Sequence, residues 1–251
     1  MNNQSRNTTY PQLLPFLCLS GLCLALASGC QSARMAMPIE LESQATTFQC
    51  KGRNGFALSE RFVFGPYVVI DVRRSWTSRQ SWGVGDFEQS SAHQQYEYRI
   101  TGTNDSKWLG QAATGVKKND IKAAAWGGQL IVGLSFDLNF VVRLSQEKQA
   151  TTWTLILAQN TGEDVLKGSL TDGTTVYAIE STRRLAGTSI PLTDAAGYVI
   201  TKNGLPIAAV EVLNEGSVRF ANNLNTSERD MLAAASAAIL LYKDISASSI
   251  N

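Results

Sequence analysis

Apolar and polar residues alternate along most of this chain in short runs, broken at close intervals by Gly, Asn and Asp. Tyr96-Glu97-Tyr98-Arg99-Ile100 and Trp153-Thr154-Leu155-Ile156-Leu157 carry the period-two signature of strands with one face buried and the other wetted. The same reading predicts strands over 62–64, 67–72, 95–101, 107–112, 130–136 and 140–144. Further strands follow over 152–158, 166–170, 175–181, 197–201, 207–213 and 217–221. Asp172-Gly173, Asn203-Gly204 and Glu215-Gly216 put glycine where a tight hairpin needs positive φ. About a dozen strands exceed what one open twisted sheet comfortably holds, so the sheet must close on itself or split into two layers.

One segment departs from this pattern. Ser227-Glu228-Arg229-Asp230 reads as a helix start, with Ser227 as the cap and Asp230 at the capping-box position. Residues 231–242 then read MLAAASAAILLY, with no charge on any face. A surface helix is amphipathic, and one apolar all round must be enclosed. At ~1.5 Å per residue the segment spans about 18 Å, too short for a bilayer. Its five alanines keep it thin enough for a barrel interior.

These last elements resemble a known superfamily. The hairpin Gly197-Tyr198-Val199-Ile200-Thr201-Lys202-Asn203-Gly204, the strand over 208–213, and Arg229-Asp230 leading into the apolar helix look like the end of the tubby C-terminal-like fold. That fold is shared in outline by tubby proteins, phospholipid scramblases and LURP-one-related proteins. The resemblance implies a mainly β protein: a closed antiparallel barrel of about twelve strands enclosing an apolar C-terminal helix. The alternative is a β-sandwich with a packed C-terminal helix. The tubby phosphoinositide motif, the scramblase cysteine-rich run and a calcium loop have no counterpart here, so the resemblance implies architecture and not a ligand.

The first residues carry an address. A polar stretch with one cation, Arg6, precedes the uncharged run LCLSGLCLAL over 17–26, too short for a permanent span. Ala27-Ser28-Gly29-Cys30 follows and resembles the bacterial lipobox, with Ala27 where leucine is usual. The resemblance implies a signal peptide over 1–29, cleavage before Cys30 and acylation of its thiol, with several acyl chains making the anchor stable. Gln31 in place of aspartate implies the periplasmic face of the outer membrane. Residues 30–46, without a clear period, read as a lipidated tether, and 47–251 as the globular domain, with its helix about 228–243.

Charge and cysteine content narrow the chemistry. Lys+Arg 22 against Asp+Glu 21 leaves no broad field to select nucleic acid, and loss of the leader removes only Arg6. Of the 4 cysteines, Cys18 and Cys23 lie in the leader and Cys30 is the acylation site, so Cys50 is left as a lone thiol, expected to be a buried small side chain. Neither a zinc cluster nor a disulfide framework follows from this, and no cofactor is indicated.

The single histidine, His93, lies in the polar stretch SSAHQQ and reads as an exposed loop residue. Gly83-Val84-Gly85 lacks the third glycine and the strand-to-helix setting of a dinucleotide site. The richest stretch outside the expected core is 73–95, which gathers Arg73, Arg74, Trp76, Arg79 and Trp82, residue types that concentrate at binding hot spots. They suit a phospholipid headgroup, a glycan or an envelope protein. The expected function is thus a membrane-tethered, non-catalytic binding module. The alternative is a hydrolase-like enzyme built from scattered Asp, Glu and Arg, with Asp71, Asp86 and Glu88 as candidate carboxylates. A concave pocket holding two carboxylates would separate the two.

Overall fold

The computed structural model describes residues 32–53, 61–76, 94–116, 138–159 and 165–242. The barrel lies in the unit Arg34–Asn251. Its strands are β1 Ala45–Lys51, β2 Phe62–Phe64, β3 Tyr67–Trp76, β4 Gln94–Thr101, β5 Lys107–Val116 and β6 Leu138–Gln146. They continue with β7 Thr152–Ala158, β8 Lys167–Thr171, β9 Val176–Thr182, β10 Gly197–Lys202, β11 Leu205–Glu211 and β12 Ser217–Ala221. Each strand pairs antiparallel with its sequence neighbours, and β1 closes the ring on β12. The sheet therefore closes into one barrel of twelve strands, and the two-layer alternative is set aside.

The turns follow the local chemistry. Asn203 and Gly204 both take positive φ, at 52° and 80°, the two-residue hairpin form that matches strand twist. The Asp172 carboxylate accepts from the Thr174 and Thr175 amides at 2.9 and 2.7 Å. The expected strand over 130–136 lies outside the described residues. β1 was not anticipated: ATTFQCK buries only Cys50 fully and shows no repeating apolar face.

The C-terminal helix, α2 (Thr226–Leu241), fills the interior, with every residue from Asp230 to Leu241 buried. Its start differs from expectation. Asn225 is the cap, its side chain accepting from the Glu228 amide at 2.9 Å, so Glu228 occupies the third helical position. Asp230 is not part of a capping box; its carboxylate turns to the wall, accepting from the Tyr67 hydroxyl at 3.0 Å and the Thr103 hydroxyl at 2.7 Å. Glu228 accepts from Lys202 and the Tyr177 hydroxyl, both at 2.8 Å.

Glu228 makes this end of the barrel pH-sensitive. Burial alone would raise its carboxyl, but the hydrogen bonds from Lys202 and Tyr177 outweigh that and hold it below the usual carboxylate range. A depressed folded-state value adds stability above the unfolded value of about 4.3, and that stability is lost as pH falls through the folded value. Glu228→Gln is therefore expected to be less stable than the parent at neutral pH and to converge with it in acid. Urea melts of both proteins across that range check this.

The stretch read as a tether is folded from Arg34 onward. Met35 bridges to Leu185, and its amide donates to the Glu211 carboxylate at 2.9 Å. Its side chain, 2% exposed, fills the space over Gly197, where a Cβ would stand 2.3 Å from the sulfur. A short helix, α1 (Ile39–Ser43), then seats Leu41 on the outer wall with Ala209 and Ala221. This strap runs from the Glu211 end of the barrel to the Ala221 end, where Ala45 opens β1.

Candidate functional site

The two ends of the barrel are built differently. At the end where α2 begins, strands are joined by short connections: 65–66, 102–106, 147–151, 172–175 and 203–204. At the end where α2 finishes, the connections are 52–61, 77–93, 117–137, 159–166, 183–196 and 212–216. Long connections held by a rigid frame are where proteins place recognition. The 73–95 stretch belongs to this second, loop-bearing end.

A bulge in β3 decides where the two arginines of that stretch point. Asp71 takes a positive φ of 54°, and the register with β4 shifts between Ile70 and Arg73. One extra residue reverses the alternation of the strand. Tyr67 and Val69 face inward before it, and Val72 after it. Arg73 is exposed, directly across from Glu97.

Arg74 instead turns toward the interior. Its Nη2 donates to the Leu241 carbonyl at 3.0 Å, and its guanidinium lies 5.1 Å from the centre of the Tyr96 ring. Arg53 stands beside it, donating from Nε to the Leu240 carbonyl and from Nη1 to the Val212 carbonyl, each at 3.0 Å. Two guanidinium groups thus meet carbonyls that the helix leaves unpaired, at the negative end of its dipole. Sequence reading missed Arg53, which has no local signal: its partners lie more than a hundred and fifty residues away.

Two tyrosines continue this set of contacts along α2. Tyr98 donates to the Ala234 carbonyl at 2.6 Å and Tyr96 to the Ala238 carbonyl at 2.7 Å. Two strand residues span ~6.6 Å and four helical residues ~6.0 Å, so i, i+2 on β4 falls in phase with i, i+4 on α2. Burial holds both phenols well above their ordinary value, which keeps them as donors. Buried hydroxyls that face the helix are thus committed to holding it.

Trp76 ends β3, paired with Gln94, and Arg79 and Trp82 lie outside the described residues, as do Cys30 and His93. Gly83, Val84, Gly85, Asp86 and Glu88 lie outside them too. Asp71 sits on the outer surface, where Arg99 approaches it at 3.4 Å. Cys50 is 2% exposed, and burial, assisted by Glu215 and Glu211 and opposed by Arg53, pushes its thiol up to about 12. Among the described residues no group of His, Cys, Asp and Glu could hold a metal ion, and no helix is long and apolar enough to cross a membrane. The chain has no significant match to a protein-family model, to a curated protein or to a solved structure.

Proposed function

We propose that this chain is a bacterial lipoprotein of the cell envelope, anchored through Cys30 at the periplasmic face of the outer membrane. Its barrel, of tubby-like architecture, serves as a non-catalytic binding module. The observation that carries the second half of this reading is the filled interior. Where a barrel of this size could hold a ligand, α2 occupies the space, and Tyr96, Tyr98 and Arg74 are committed to its carbonyls. Recognition is left to the loop-bearing end, where Arg73 is exposed and from which the Trp- and Arg-rich connection departs. A phospholipid headgroup, a glycan or an envelope protein suits those side chains.

Cys30→Ala tests the anchor. Without the thiol no lipid is added, and the variant is expected to lose palmitate labelling and to accumulate uncleaved or soluble. Unchanged labelling would refute the anchor. The contact surface is tested by Arg79→Ala with Trp82→Ala, which should weaken partner or lipid binding while the melting temperature stays nearly constant. A large fall in melting temperature would instead show those side chains to be core.

A further inference from the structure

A lipid on Cys30 would hold the strap, and with it one end of the barrel, near the membrane. Cys30 precedes Met35 by five residues, and an extended chain spans at most ~3.6 Å per residue, so the acylated residue lies within about 18 Å of Met35. Met35 is fixed at the loop-bearing end, by its bridge to Leu185 and its bond to Glu211. The opposite end lies a full helix length away, about 24 Å for α2. We propose that the loop-bearing end faces the bilayer, with Arg34 and Arg184 set against the phosphates of an anionic phospholipid surface.

The local geometry suits that role. The Ala36 amide donates to the Arg184 carbonyl at 2.9 Å and the Ala186 amide to the Arg34 carbonyl at 2.8 Å. In this short antiparallel ladder Met35 turns to the wall, so Arg34 and Arg184 share the outward side, and both are exposed. Lys51 and Arg61 are also exposed at this end, against the acidic Asp194 and Glu215. At the far end the exposed Lys107 and Lys148 are matched by Asp105 and Glu147. Among the described residues, the exposed charge at the end where the anchor emerges is thus basic in excess. Ile190, 74% exposed in the same 183–196 connection as Arg184, adds an apolar side chain at this end.

The inference rests on the lipid anchor, and its test separates the two. Full-length protein, processed in cells and purified, is placed on vesicles of phosphatidylethanolamine and phosphatidylglycerol that carry a headgroup quencher. A fluorophore is attached through Ile190→Cys at the loop-bearing end or through Leu205→Cys, a 66% exposed position beside the Asn203-Gly204 turn at the other. Cys50 is buried and stays protonated, and acylated Cys30 has no free thiol, so the introduced cysteine takes the label.

Quenching several times stronger at 190 than at 205 is the expected result. Combining Arg34→Gln with Arg184→Gln, or substituting phosphatidylcholine for the anionic lipid, should lower quenching at 190 while the protein still floats with the vesicles. Each arginine removed is worth about five-fold in the docked-to-undocked ratio. Equal quenching at the two sites, stronger quenching at 205, or quenching at 190 that ignores both changes would overturn the inference. Failure to float would overturn the anchor itself, and the inference with it.

Discussion

Aspartate at any of Ala233, Ala234, Ala235, Ala237 or Ala238 is expected to prevent folding. All five are 0% exposed and distributed around α2, so no rotation of the helix brings one of them to water. An unpaired carboxylate in such a place costs several kcal/mol, a large part or all of the 5–15 kcal/mol that typically holds a domain together. Leucine at 235 carries no charge and is expected to cost ~1 to 3 kcal/mol, because the wall leaves no volume for it. Chemical denaturation followed by far-UV circular dichroism reads the whole series. A single aspartate accepted with little loss would mean that the helix has a wet face.

Gly110→Val is expected to be nearly as damaging, for a different reason. Gly110 on β5 stands directly across from Tyr98 on β4, and a Cβ there would lie 2.1 Å from the phenol ring. The ring is 0% exposed and its hydroxyl is bonded to the Ala234 carbonyl. Valine must therefore evict the ring, and the protein loses its packing and its hold on the helix together, at a cost of about 3 kcal/mol or more. Combining the change with Tyr98→Leu should recover part of the loss, since the two side chains compete for one volume. Strict additivity in thermal melts would show that glycine is required there for some other reason.

The helix was the most legible part of this fold because its signal is an absence. Twelve positions without a charge have one physical solution in a protein of this size, which is enclosure by other elements. The glycine turns were legible because positive φ is a local demand. What was not legible depends on pairing between distant residues. Asn225 and Ser227 are both competent caps, and the choice falls to Asn225 in a helix that also sets Asp230 against Tyr67 and Thr103, far away in sequence.

The candidate site was legible to a smaller degree. Residues 73–95 stand out by composition, yet composition treats Arg73 and Arg74 alike. The bulge at Asp71 separates them, exposing the first and turning the second onto the helix end. The slip in alternation from Tyr67-x-Val69 to Val72-x-Arg74 is visible in the sequence once a bulge is considered. The strap carried weaker signals still: residues 35–41 read MAMPIEL with no clear period, and only the wall beneath them explains why Met35 and Leu41 are buried while Ile39 is exposed.

Amide hydrogen exchange tests the enclosed helix most directly. If the barrel must open before water reaches α2, the amides of residues 231–241 exchange only through global unfolding. Their free energies of opening should then match the stability from denaturation and fall together with it in destabilised variants. Exchange of these amides at a free energy well below that of global unfolding, while the strand amides of β4 to β6 stay protected, would contradict a helix wrapped by the sheet.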